Sequence, residues 1–162
     1  GRFADFIAEY GFSCDAATLA KEYMLALSTK SFLVEGAESL CCSLVPSCRL
    51  YLITNGTDWI QHGRFDPCPL APLFSGVFIS DSMGCEKPER AYFDMVTAAI
   101  PDFDPVSTLV VGDSLSSDIR GGIGAGLDTC WFNPHGKVAP PDIEPRFECR
   151  TLEEVGQVIR GA

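Results

Sequence analysis

Apolar residues recur along the chain in two patterns, one typical of amphipathic helices and one typical of buried strands. Near the start, Phe3, Phe6, Ile7 and Tyr10 lie three or four positions apart. This spacing places them on one face of a helix and predicts a helix over residues 3–10.

Two more helices are predicted before the first strand. One covers residues 15–30, with Ser13 or Asp15 as its N-cap, because a short polar side chain can accept a hydrogen bond from the free N–H groups of a first turn. The other covers residues 37–45 and ends at Pro46, since proline cannot continue a helix.

The rest of the chain alternates between short apolar segments and amphipathic ones. The apolar segments predict strands at residues 49–54, 76–80, 107–111 and 128–132. The amphipathic segments predict helices at residues 57–64, 88–99, 116–125 and 151–160, with Pro88 in the first turn of its helix and a loop over residues 133–145. Apolar strands that alternate with helices are typical of a parallel sheet covered on both faces, so we predict an α/β fold. A boundary near residues 33–36 separates the helical start from the α/β remainder.

Composition and charge exclude some functions. The formal net charge is −10, which argues against nucleic acid as a partner because binding to a phosphate backbone needs a basic surface. A small phosphorylated substrate is still possible, since a metal ion and a lysine can offset its charge locally. No apolar run approaches the roughly 18 residues that span a bilayer, so we expect no membrane partner.

The eight cysteines have no spacing typical of a zinc site. Cys41 and Cys42 are adjacent in a helical segment, and Cys130 lies in an apolar strand. We interpret the cysteines as reduced thiols of a cytoplasmic protein, with disulfides of a secreted protein as the alternative.

Polar residues follow three of the predicted strands. Thr54, Asn55 and Gly56 end the first strand, Lys87 follows the second, and a Gly-Asp-x4-Asp segment with Asp113 and Asp118 follows the third. Ligands of parallel α/β folds bind beyond the carboxyl ends of the strands, so we expect these side chains to share one site.

The two carboxylates suggest a metal. Asp113 lies at a strand end and Asp118 in the first turn of the next helix, and Mg²⁺ prefers one or two carboxylates together with phosphate and water. In the alternative, Asp118 only favours the positive end of the helix and Asp113 caps a turn. Taken singly, Lys87 could be a surface lysine and Thr54 an ordinary strand end. Their order in the chain is what makes the combination specific.

This order resembles motifs II, III and IV of the haloacid dehalogenase-like (HAD) superfamily. The resemblance implies that Thr54 and its neighbours bind the transferred phosphoryl group, and that Lys87 stabilises its charge. It also implies that Asp113 ligates Mg²⁺, and that Asp118 holds metal-bound water or the lysine. Finer matches, among them Glu86-Lys87-Pro88 and Ile53-Thr54-Asn55-Gly56, resemble helical-cap phosphatases that include pyrimidine 5′-nucleotidases.

The resemblance also implies a domain organisation and a missing strand. Residues 1–33 would be the end of a helical cap and residues 34–162 a Rossmann-like core. Motif I of the family, an apolar strand followed by Asp-x-Asp, has no counterpart, because Asp102-Phe103-Asp104 follows motif III in a loop. We therefore interpret the chain as a piece of a longer protein. We expect it to be unstable alone or to have a gap between the strands of motifs II and IV.

The function implied is a Mg²⁺-dependent phosphate monoester hydrolase that acts through an aspartyl-phosphate in the complete protein. Its substrate would be a small phosphorylated metabolite such as a nucleotide or a sugar phosphate. A metal-independent dehalogenase, a phosphomutase and a non-catalytic module that binds metal or phosphate are the alternatives. We expect His62 to be a surface residue and Trp131 a core residue, while His135 could line the site.

Overall fold

The structure, a computed structural model, describes residues 1–161. Eight α-helices lie within this part of the chain: α1 Arg2–Tyr10, α2 Ala16–Ser28, α3 Ala37–Leu44, α4 Asp58–Phe65, α5 Ser80–Met83, α6 Arg90–Ala99, α7 Arg120–Gly124 and α8 Leu152–Gly161. Its five strands are β1 Leu50–Thr54, β2 Phe74–Ile79, β3 Leu109–Gly112, β4 Asp128–Phe132 and β5 Phe147–Cys149. Strands therefore alternate with helices through most of the chain, and the predicted α/β fold is confirmed.

All strand pairing within residues 1–161 is parallel, but it forms two sheets. β1 pairs with β2, and β3, β4 and β5 pair in that order. No ladder joins β1 to β3 in this part of the chain. Each of these two strands thus has one edge without a strand partner, at the place where the resemblance to the HAD superfamily puts the motif I strand.

Helix α6 packs against strands of both sheets. Tyr92 and Phe93 of α6 are buried with Val110 of β3, and Ile53 of β1 and Phe78 of β2 pack against the same cluster. Burial of such large aromatic side chains is a major contribution to stability. Strands β1 and β3, which precede the motif II and motif IV residues, are thus held near each other by helix α6. Within residues 1–161 they share no hydrogen-bond ladder.

The other side of the three-stranded sheet is covered by α8. Val155 of α8 is buried against Cys130 of β4 and Cys149 of β5, whose sulfur atoms are 3.6 Å apart. All eight cysteines are free thiols. Burial raises the pKa of Cys130 to about 12, so this thiol is protonated at neutral pH and chemically inert.

The N-terminal helices form a small hairpin that contacts the rest of the protein through α4. Asp15 is the N-cap of α2 and accepts a hydrogen bond of 2.8 Å from the backbone N–H of Thr18, which decides between the two predicted caps. A Cβ on Gly63 of α4 would lie 2.6 Å from the carbonyl oxygen of Ser28, so only glycine allows this close contact. The division into residues 1–33 and 34–162 stays a prediction.

Several elements differ from the sequence-based expectation, including the short helix α5, which was not predicted. The helix predicted from residue 88 begins at Arg90. Pro88 lies instead in a turn that is closed by a hydrogen bond from Glu89 N–H to Glu86 O. The helix predicted over 116–125 is a π-helical turn, Leu115–Ile119, followed by α7. Strand β5 was not predicted, since three residues with one polar position give little periodic signal. None of the helices in residues 1–161 is long and apolar enough to cross a membrane.

Candidate active site

Lys87 is the most tightly held side chain at the carboxyl ends of the strands. Its residue is 7% exposed, and its Nζ donates to the carbonyl oxygen of Ile53 at 2.9 Å and to Asp118 Oδ1 at 2.7 Å. An ammonium group has three protons, so these two bonds leave one for a ligand. A buried lysine without a carboxylate partner would be costly, and Asp118 provides that partner.

Asp118 returns to the end of β3 because of the turn that precedes it. Its Oδ2 accepts from the backbone N–H of Ser114 at 3.1 Å, and the Ser114 side chain caps the turn by accepting from Ser117 N at 3.3 Å. A Cβ on Gly112 would overlap the Asp118 carboxylate, so a glycine is needed at this strand end. The structure thus brings Lys87 and Asp118 together, as the motif order predicts.

Asn55 fixes the backbone that carries Lys87. Its Nδ2 donates to the Lys87 carbonyl oxygen and its Oδ1 accepts from the Lys87 N–H, both at 2.9 Å. This reciprocal pair ties the end of β1 to the loop after β2. Because both polar atoms of the amide are engaged, the side chain of Asn55 positions Lys87, and its role in substrate binding stays a prediction.

Thr54 and Gly56 form the loop after β1. Thr54 N–H donates to the Tyr92 hydroxyl at 3.2 Å, and that hydroxyl donates to Phe78 O at 2.7 Å. Burial raises the pKa of Tyr92 above its usual range, so the phenol keeps its proton. Gly56 N–H donates to the hydroxyl of the buried Ser80 at 3.0 Å.

Three residues that shape this loop were not predicted from the sequence: Tyr92, Ser80 and Gln61. Nε2 of Gln61 lies 2.5 Å from Thr54 Oγ1 and 3.2 Å from Asn55 O. Tyr92 lay within the predicted helix 88–99 with no role assigned to it, and Ser80 was read as the end of a strand. Gln61 lies one helical turn into α4, a place where a partner of the preceding loop could have been sought.

Asp113 follows β3 with an exposed side chain, while its backbone carbonyl accepts from Trp131 Nε1 at 3.1 Å. Trp131 is 1% exposed, which confirms it as a core residue. The buried indole therefore fixes the backbone at Asp113 and leaves the carboxylate facing solvent, where a cation can reach it.

The oxygen atoms at this end of the strands differ in how well they suit Mg²⁺. Asp113 offers an exposed carboxylate, the kind of oxygen ligand that Mg²⁺ prefers. Both oxygens of Asp118 already accept hydrogen bonds, from Lys87 and from Ser114, so its role as a direct metal ligand stays a prediction. Within residues 1–161 no group of three or more His, Cys, Asp or Glu side chains could hold a metal. Asp113 is thus the described side chain best suited to contribute a ligand to Mg²⁺, and its role stays a prediction.

The remaining candidates lie on the surface. His62 is exposed on α4 between Asp58 and Asp66, as expected for a surface residue. His135 is also exposed, and its proximity to the site stays a prediction. Asp102 and Asp104 lie in an exposed turn, and Asp104 accepts from Val106 N–H at 3.1 Å.

Comparison with known proteins identifies the family of this chain. The HAD-hydrolase-like family model matches residues 84–153. The HAD-hydrolase YfnB of Bacillus subtilis is 40% identical over 158 residues, which are 98% of this chain and 67% of that protein. The chain belongs to the HAD hydrolase family. The predicted membership is thus confirmed.

Two curated HAD relatives are named as nucleotidases. Pyrimidine 5′-nucleotidase PynA of Streptococcus pneumoniae is 34% identical over 95% of this chain, and YjjG of Escherichia coli is 36% identical over 76% of it. The chain spans 65% of the first of these proteins and 55% of the second, so it matches only part of each.

A solved HAD structure shows the same fold over nearly the whole chain. The crystal structure of YfnB bound to magnesium superimposes with a TM-score of 0.93 at 40% identity. The match covers 98% of this chain and 69% of that one.

Proposed function

We propose that the complete protein is a Mg²⁺-dependent phosphate monoester hydrolase that acts through an aspartyl-phosphate. One observation carries the proposal. The buried Lys87 ammonium is held by Ile53 O and Asp118 at the strand ends, with one proton left for an anionic ligand. Relatives named as phosphatases and nucleotidases favour this function over a non-catalytic binding module.

The residues of this chain would act mainly on the phosphoryl group. Lys87 would donate to a phosphoryl oxygen and stabilise charge that develops during transfer. Thr54 O–H would orient the same group, together with N–H groups of the loop other than those of Thr54 and Gly56, which donate to Tyr92 and Ser80. The nucleophilic carboxylate would be supplied from outside these 162 residues, and water would then hydrolyse the acyl phosphate.

Asp113 would hold Mg²⁺ beside this group. When bound, the ion would neutralise charge on the phosphate oxygens. Asp118 would keep the Lys87 side chain in place, and Trp131 would hold the backbone of Asp113 at the end of β3.

The substrate proposed is a small phosphorylated metabolite such as a nucleotide or a sugar phosphate. Support comes from relatives named as pyrimidine 5′-nucleotidases and as N-acylneuraminate-9-phosphatase. We further propose that residues 1–33 belong to a helical cap and that the protein acts in the cytoplasm.

The experiment is hydrolysis of a panel of phosphate monoesters by the complete protein with Mg²⁺ and with a chelator. Asp113→Asn should abolish Mg²⁺-dependent turnover, because the variant loses the negative charge that attracts the cation. Asp102→Asn is the matched control, since Asp102 is exposed and its backbone lies beside Arg49, which precedes the amino end of β1. Full activity of Asp113→Asn would contradict the proposal, and metal-independent release of halide from a haloacid would favour a dehalogenase.

A further inference from the structure

The Thr54 hydroxyl has a side-chain partner that the proposed mechanism leaves without a role. Gln61 Nε2 lies 2.5 Å from Thr54 Oγ1 and 3.2 Å from the carbonyl oxygen of Asn55. A carbonyl oxygen can only accept hydrogen bonds, so the atom that faces it must be the amide nitrogen. The Gln61 amide is therefore oriented with its nitrogen toward the loop after β1.

The orientation of Gln61 determines what Thr54 can do. An amide nitrogen has two protons and no capacity to accept, so Gln61 donates to both oxygens. The Thr54 hydroxyl is therefore an acceptor toward Gln61, and its own proton is free to point elsewhere. Its partner inside the protein is Asn55 O at 3.4 Å, a long contact to an oxygen that Gln61 already occupies.

We propose that Gln61 is a positioning residue that makes the Thr54 hydroxyl a donor to a bound phosphoryl oxygen. Phosphoryl oxygens of a dianion only accept hydrogen bonds, so they need a hydroxyl whose proton faces them. This inference rests on the proposed phosphatase function, and it adds a residue that acts through Thr54 and not on the substrate itself.

Gly56 leaves space in the loop after β1 for the Gln61 side chain. A Cβ on Gly56 would lie 2.9 Å from Gln61 Nε2 and 3.2 Å from its Cδ and Cγ. Gly56 also has a φ of 153°, which L-residues rarely adopt. A larger residue at this position would push the amide away from Thr54, so the glycine serves the contact as well as the turn.

Contacts on both sides of residue 61 fix the position of helix α4, which carries Gln61. At its start, Asp58 N–H donates to Asp81 Oδ2 at 2.9 Å, and the Ser82 hydroxyl donates to the Asp58 carboxylate. Further along, Gly63 packs directly on Ser28 O. Because the helix is fixed on both sides of residue 61, the side-chain amide of Gln61 is already in place before a ligand binds.

The experiment is a double-mutant cycle on kcat/KM of the complete protein with the best phosphate ester. Thr54→Val should lower kcat/KM on the order of thirtyfold, as expected for a hydrogen bond to a charged group. Gln61→Met, which is close in size but cannot donate, should lower it about tenfold. In the Thr54→Val background, Gln61→Met should have no further effect, because the hydroxyl that it orients is gone.

Two controls separate positioning from a general structural role. In a Thr54→Ser background, which keeps the hydroxyl, Gln61→Met should again cost about tenfold. Gln157→Met, the same change on the exposed face of α8, should leave kcat/KM and the melting temperature unchanged.

Each other outcome has a distinct meaning. Losses that multiply in the Thr54→Val background would show that Gln61 acts independently of Thr54 and would overturn the inference alone. A Gln61→Met loss explained by a lower melting temperature would do the same. Absence of phosphatase activity in the unmodified protein would overturn the proposed function and this inference together.

Discussion

The ammonium group of Lys87 lies 2.7 Å from a carboxylate oxygen of Asp118, and the two side chains are only 7% and 11% exposed. Lys87 lies in the loop between α5 and α6, and Asp118 lies in the turn after β3. This contact therefore connects the two sheets at the ends of their strands, where the candidate active site lies.

Removing one charged partner of the Lys87–Asp118 pair should lower the free energy of unfolding. Lys87→Met keeps the length of the side chain but leaves the Asp118 carboxylate without a counter-charge, so we expect a loss of about 3 kcal/mol in the free energy of unfolding. Asp118→Asn added to that variant removes the buried charge and should recover part of the loss. Urea denaturation of the complete protein, followed by circular dichroism, measures both. Strictly additive losses would show that the two side chains are not coupled.

A second prediction compares two glycines of helix α7. A Cβ on Gly121 would overlap the buried ring of Phe93 and lie 3.1 Å from Pro88 Cα, whereas nothing lies within 4 Å of a Cβ on Gly124. Gly121→Ala should thus destabilise the protein by about 1–3 kcal/mol through overpacking. Gly124→Ala should be neutral or stabilise it by up to about 1 kcal/mol, because alanine favours a helix. Equal melting temperatures for the two variants would contradict the packing that the structure shows.

Four of the five strands and the motif residues were predictable from the sequence, for reasons that the structure makes clear. Strand β4 was predicted with its observed bounds because most of its residues are apolar, and its three central residues are buried. Lys87 and Asp118 were predicted together because parallel strands bring their carboxyl ends to one edge.

The contacts that orient these residues were not predictable. The roles of Asn55 and Gln61 depend on where a helix and a loop meet in space, and an amide leaves no periodic signal. The π-helical turn before α7 was read as ordinary helix, because its apolar spacing differs from that of an α-helix by a single residue.

A third prediction concerns the pH dependence of His62. Its pKa is raised because its ring forms a hydrogen bond with Asp66 at 3.1 Å, with an added attraction to Asp58. The folded protein thus binds this proton more tightly than the unfolded chain does. The resulting stabilisation is fully present below pH 6.5, the ordinary pKa, and is lost as the pH rises through the higher folded-state pKa.

NMR titration of the histidine ring protons checks this shift. Only His62 and His135 are present, and His62→Gln assigns the signals. Asp66→Asn should lower the pKa of His62, because it removes the charged partner. Because both side chains are about half exposed, the effect on stability should be small. An unchanged titration midpoint in Asp66→Asn would show that the contact does not form in solution.

The last prediction concerns the 162-residue chain by itself and the edges of its two sheets. Within residues 1–161, strand β4 pairs with β3 on one side and with β5 on the other, whereas β1 pairs only with β2 and β3 only with β4. Backbone groups on an edge without a strand partner exchange with solvent and invite pairing with other chains. In the isolated chain we expect amides of β4 to exchange slowly with deuterium, and those of β1 and β3 that face away from their ladders to exchange quickly. In the complete protein, a strand between β1 and β3 would protect both, so the same amides should slow by at least about tenfold. Exchange that is equally slow in the two proteins, together with cooperative unfolding of the isolated chain at native-like stability, would show that these edges do not need a further strand.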